Sequence, residues 1–143
     1  MNRKLLIRIG YWWGAIGDAL LAIEMFCSAF MGTQSPFTGL GLTIPGGIQY
    51  QYAMSLAASL VLAWTFLLIW ADRKPIERKD MLLLTLIPVV GIQVSTILAF
   101  NSDLINFETM LGYSIQRIIF AIYYLFCYYF ALKEVKLKKG SER

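Results

Sequence analysis

This sequence contains no histidine, and charge is scarce: charged residues fill 15% of its 143 positions, against about 25% in an ordinary soluble domain. Without imidazole there is no histidine acid–base chemistry, no histidine-ligated zinc or haem, and no Ser–His or Cys–His nucleophile pair. The only two cysteines, Cys27 and Cys127, are a hundred positions apart and form no CxxC, which excludes a local dithiol redox motif or thiolate cluster. No catalytic motif, metal set or cofactor fingerprint stands elsewhere in the chain, so no catalytic residue, metal ligand or cofactor is assigned and the reading leans away from an enzyme. A lipid-modifying enzyme ranks third among the functional classes, since carboxylates alone would have to serve as its acid and base.

What the chain has instead is apolar length. Hydrophobic residues make up 58% of it and the mean hydropathy is +0.60, more apolar surface than one small core can hide, so lipid is the expected solvent. A helix needs about 20 mostly apolar residues to cross a hydrocarbon layer roughly 30 Å thick. Four stretches qualify: Gly10–Met31, Tyr50–Ala71, Met81–Phe100 and Met110–Leu132. Helices are the default there because the hydrocarbon offers no water to unpaired backbone groups. The expected fold is all-α: one transmembrane domain over residues 1–143, built as a four-helix bundle. The first apolar run carries Asp18 and Glu24, which the core of a secretory signal would avoid.

Charge placement orients the bundle. Of the 13 basic residues, all but Arg117 lie before the first span, between spans two and three, or after the fourth. The two opposite connections carry none, and Asp103 and Glu108 sit in or beside the second of them. The positive-inside rule then puts both termini and the middle turn in the cytoplasm. Tyr11, Trp12, Trp13 and Trp70 fall where a cytoplasmic aromatic belt is expected, with Tyr50 and Tyr52 at the outer boundary. The basic tail reads as an orientation signal with affinity for anionic headgroups, so membrane lipids are the expected partners and nucleic acid is not. Residues 40–49, LGLTIPGGIQ, are apolar enough to dip into the interface as a re-entrant segment, although an ordinary surface loop is the simpler expectation.

The middle turn reads Trp70-Ala71-Asp72-Arg73-Lys74-Pro75-Ile76-Glu77-Arg78-Lys79, and the first span opens Gly10-Tyr11-Trp12-Trp13-Gly14-Ala15-Ile16-Gly17-Asp18. With Met81–Thr85 and Pro88-Val89-Val90, these segments resemble a group of small four-span membrane proteins of bacteria and archaea. The resemblance implies a prokaryotic source and a plasma-membrane location. It carries over no activity and no functional residue.

Three ionisable residues lie inside the spans: Asp18 and Glu24 in the first, Arg117 in the fourth. Each costs about 2.5–3.5 kcal/mol at mid-bilayer even on the lenient insertion scale, so each is a functional candidate. Counted at 1.5 Å per residue, Glu24 and Arg117 both lie about 10 Å below the outer ends of their spans, with Gln93 near the same depth. That levelness predicts a buried Glu24–Arg117 pair. Asp18, deeper by about 9 Å, falls level with Pro88 and Tyr124 and is left without a base. It must be protonated, hydrated in a cavity, or neutralised by a bound cation. Gly10, Gly14, Gly17, Asp18, Leu21, Glu24, Met25 and Ser28 share one face of the first helix. Pro88 and Gly91 are expected to loosen the third. Asp18, Glu24, Gln93, Arg117 and Tyr124 are therefore the candidate ligand-binding residues. The function expected is a small module that binds or transports a cation, a proton or a small hydrophobic ligand. The competing class is an accessory or scaffold protein whose polar groups only fix helix packing. Four helices enclose little lumen, so a transporter of this size would need a homo-oligomer or a partner membrane protein.

Overall fold

A computed structural model describes residues 3–31, 47–103 and 105–141. The chain is all-α, a four-helix bundle with no strand among the described residues: α1 (Arg3–Met31), α2 (Ile48–Asp72), α3 (Asp80–Leu84), α4 (Leu86–Asn101) and α5 (Phe107–Ser141). Among the described residues, four spans are long and apolar enough to cross a membrane: Lys4–Met31, Ile48–Asp72, Asp80–Asn101 and Phe107–Val135. This is the architecture of a multi-pass membrane protein. The first and last helices run further toward the basic end than hydropathy alone marked; at the start of α1, Ile7 joins the buried core and Leu6 packs against it while Lys4, Leu5 and Arg8 stay exposed. Residues 40–46 of the segment read as loop or re-entrant lie outside the described residues, and Ile48 already starts α2.

The third span is broken where the sequence says it must be. Pro88 has no N–H for the carbonyl of Leu84, and its ring crowds that carbonyl. The α-helical pattern stops at Leu84, resumes at Leu86, and the Val89 N–H reaches the Thr85 carbonyl only at 3.5 Å. At the other end, α5 starts cleanly: Asn106 Oδ1 accepts the Thr109 N–H at 2.8 Å, a side-chain N-cap, and Glu108 sits in the first turn, where negative charge favours the helix dipole. Asp103 makes the preceding turn with φ 56°, a left-handed conformation that Asp tolerates better than most residues.

Packing is uneven along the bundle. The α1–α2 pair is the most extensive contact, α5 packs on α1, α3 and α4, and α1 makes no substantial contact with α4. Ala15, Ala22 and Ala29 recur every seventh residue of α1 and are all buried, as are Ser28 and Ala58; small side chains of this kind let helix backbones approach in lipid. The main apolar cluster gathers at the basic end: Ile7, Tyr11 and Ala15 from α1, Leu68 and Ala71 from α2, Leu82 from α3, and Tyr124, Cys127 and Ala131 from α5. Leu20, Ile23, Leu60, Phe66, Ile87, Leu98, Ile119 and Ile122 point outward, as lipid-facing residues do.

Polar clamps tie the same end. Asp72, itself buried, takes both nitrogens of the Arg8 fork (Nε at 2.9 Å, Nη2 at 3.0 Å) and the Trp12 indole N–H at 3.1 Å. Arg8 and Trp12 are one turn apart on α1, so a single carboxylate at the end of α2 grips that face twice. Tyr11 Oη donates to the Arg78 carbonyl at 2.9 Å; the Arg78 guanidinium lies 3.3 Å over the Trp70 ring and also bonds the Trp70 carbonyl. The belt expectation is therefore corrected at Tyr11. Its ring is fully buried in the core, because a hydroxyl that finds a backbone acceptor inside the protein has no need of the interface.

Candidate functional site

Where the clamps end, the helices part. A cavity of about 370 Å³ opens between α1, the broken α3–α4 span and α5, lined by Asp18, Met25, Thr85, Thr96, Arg117 and Tyr124 among others. Its position follows from the packing: α5 bridges to both α1 and α4, and those two make no substantial contact with each other. Most of the remaining lining is apolar or aromatic, with Leu21, Val89, Ile92 and Phe120 on its walls. The Trp13 and Phe120 rings, 6.2 Å apart and edge to face, border both this cavity and a smaller apolar groove formed with Ile9, Ile119 and Tyr123.

Glycine makes room for the cavity floor. A Cβ at Gly14 would collide with the Tyr124 hydroxyl and stand 3.0 Å from Leu68 Cδ1. Only glycine lets α1 and α5 come this close. Tyr124 is buried, its hydroxyl donating to the Gly10 carbonyl at 3.4 Å. Gly17 has open space around its would-be Cβ, which marks where the two helices begin to separate.

Arg117 is held from the helix opposite. Its Nη1 donates to Gln93 Oε1 at 3.2 Å and to Thr96 Oγ1, and Gln93 Nε2 donates onward to Ser114 Oγ at 2.7 Å. The Tyr113 ring lies 5.5 Å from the guanidinium carbon, within cation–π reach. All of these partners are neutral. The predicted Glu24–Arg117 pair is corrected here: no ion pair joins the two, although Glu24 has an interaction of its own. Counting depth from helix ends caused the error. Cys127 and Tyr123 flank Gly10, and stepping along the antiparallel helices from there brings Arg117 within about 3 Å of the level of Asp18 and about 6–12 Å from that of Glu24.

Asp18 is the contrasting member. Among the described residues its carboxylate has no hydrogen bond and no ion pair, although it is half-buried and lines the cavity. Of the five sequence-derived candidates, the structure brings Asp18, Arg117 and Tyr124 around one space. Gln93 stands behind Arg117 as its holder, and Glu24 lies off the lining. Sequence reasoning missed Ser114 as a partner and Trp13 as a wall of the cavity. The signal for Ser114 was present: Gln93 and Thr96 on one helix, and Ser114 and Arg117 on another, are i, i+3 polar pairs on facing surfaces. Cys27 and Cys127 are both free, the first exposed and the second buried. Among known proteins, no family model, curated protein or solved structure matches this chain.

Proposed function

We propose that this chain is a small plasma-membrane module that binds, and in an oligomer or with a partner transports, a cationic ligand held at Asp18. The observation that carries the reading is a carboxylate that has no hydrogen bond or ion pair among the described residues and lines a cavity inside the span region. A bare carboxylate in that position demands a proton or a counter-cation, and the aromatic walls suit an organic cation or a small hydrophobic amine. Proton exchange against such a ligand is the coupling this site offers. The distribution of Lys and Arg supports a cytoplasmic basic end with both termini inside. A direct test is calorimetric titration of the detergent-solubilised protein with n-octylamine: binding is expected for the native chain and its loss in Asp18→Asn. Equal binding by both proteins would refute the assignment.

One observation favours the scaffold reading instead. The Asp72–Asp80 turn is locked by the Asp72 and Arg78 contacts and presents Arg73, Lys74 and Glu77 outward, a rigid charged surface of the kind a partner protein could use. Failure of every amine to bind, together with capture of a defined partner that is lost on Arg73→Glu, would shift the assignment there.

A further inference from the structure

Building on that cation site, we infer that the cavity recognises a zwitterion, an ammonium group against Asp18 and a carboxylate or phosphate against Arg117. The two side chains line the same space and lie nearly level along the bundle. No ion pair within 4.0 Å joins them, and the hydrogen-bond partners of Arg117 are neutral amide and hydroxyl groups. Each charge is therefore unspent by its opposite. A ligand with only a positive group would cancel Asp18 and leave the site with an excess positive charge in a low-dielectric surround. A ligand carrying both signs leaves the site electrically balanced and meets each charge in a short, charge-assisted contact. Gln93 and Thr96 already hold one edge of the guanidinium through Nη1, which fixes its plane; among the described residues Nη2 and Nε have no hydrogen-bond partner and are left to receive an anion. The apolar walls contributed by Leu21, Val89 and Phe120 suit a methylene or aromatic connector between the charged ends. Such a zwitterion can come as a free ω-amino acid or as an ethanolamine lipid headgroup entering from the bilayer.

The test uses the full chain in detergent, with binding followed by calorimetry and by thermal stabilisation. The probes are the ω-amino acids from glycine to 8-aminooctanoate, each beside the n-alkylamine of matching length. One chain length is expected to bind about tenfold more tightly than its amine, the size of one charge-assisted contact. Arg117→Gln is expected to erase that advantage while leaving amine binding in place; Asp18→Asn is expected to remove both. Arg117→Lys, which keeps the charge, is expected to restore part of the advantage, and the comparison of ligands on the native chain stands even where Arg117→Gln fails to fold. An additional arm compares dihexanoyl phosphatidylethanolamine with dihexanoyl phosphatidylglycerol. Selective binding of the former, with the same dependence on Asp18 and Arg117 and with the ω-amino acids inert, assigns the zwitterion to a lipid headgroup. If amines bind through Asp18 and no zwitterion binds better, the inference is overturned and the cation reading stands. If neither amines nor zwitterions bind, the cation reading itself falls.

Discussion

The two halves of this bundle are built on opposite principles. At the basic end α1, α2, α3 and α5 share one apolar cluster: Tyr11, Leu68, Leu82 and Cys127 are buried to 0% exposure, and Asp72 is held by three nitrogen donors. Beyond Gly17, α1 and α5 separate, the α-helical pattern of the third span is interrupted at Thr85, and Asp18 faces a space while Arg117 is held by neutral groups of α4. The lesson is one of division. Packing energy in lipid comes from close approach and satisfied polar contacts, and the basic end collects it. That leaves the other half free to hold an acid with no partner among the described residues and a base held only by neutral groups.

Substitutions can break this comparison in graded steps. The largest effect is expected from Gly14→Leu, which drives a side chain into Tyr124 and Leu68. Overpacking of this severity costs about 3 kcal/mol or more, and chemical denaturation in mixed micelles would measure it; a neutral result would mean that α1 and α5 are not in contact there. Next comes Asp72→Ala, which strands Arg8 and the Trp12 indole together. A smaller but clear fall in melting temperature is expected. A cycle with Arg8→Ala should be non-additive, and strict additivity would show that the clamp contributes nothing. Tyr124→Phe removes only a long hydrogen bond to Gly10 and is expected to cost less than about 1 kcal/mol. The smallest effect on folding belongs to Asp18→Asn, because its carboxylate has no partner to lose among the described residues; a large destabilisation there would reveal a structural role and erase the contrast between the halves.

Orientation can be sharpened separately. Cysteine at Asn106, exposed beside the α4–α5 turn, is expected to react with an impermeant thiol reagent applied to intact cells. Cysteine at Glu77 is expected to react only after the membrane is opened. Labelling of both from outside would end the inside-positive topology.

Much of the fold was legible from composition. Four apolar runs gave four spans, because the bilayer imposes a length that hydropathy reads directly, and Pro88 announced the break at Thr85 through a missing donor. The candidate site was legible only in part. Asp18, Arg117 and Tyr124 could be named as intramembrane polar groups, since each is costly to place in lipid. Which of them meet was hidden, because depth counted from span ends ignores how helices are staggered. The register is set instead by Gly10 and Gly14 against Tyr123, Tyr124 and Cys127. The Arg8–Asp72 clamp was hidden for a related reason. Both residues read as boundary charges, and only the tight α1–α2 contact brings partners 64 positions apart into a fork.

The most direct measurement follows thermal unfolding of the native chain, Asp18→Asn and Asp72→Ala, each with and without n-octylamine. Ligand-linked stabilisation obeys mass action and is independent of where the folding energy resides. The expected result is a lower melting temperature with an intact amine-induced rise for Asp72→Ala, and a near-native melting temperature with no rise for Asp18→Asn. A rise preserved in Asp18→Asn would contradict the division of labour between the closed end and the open cavity.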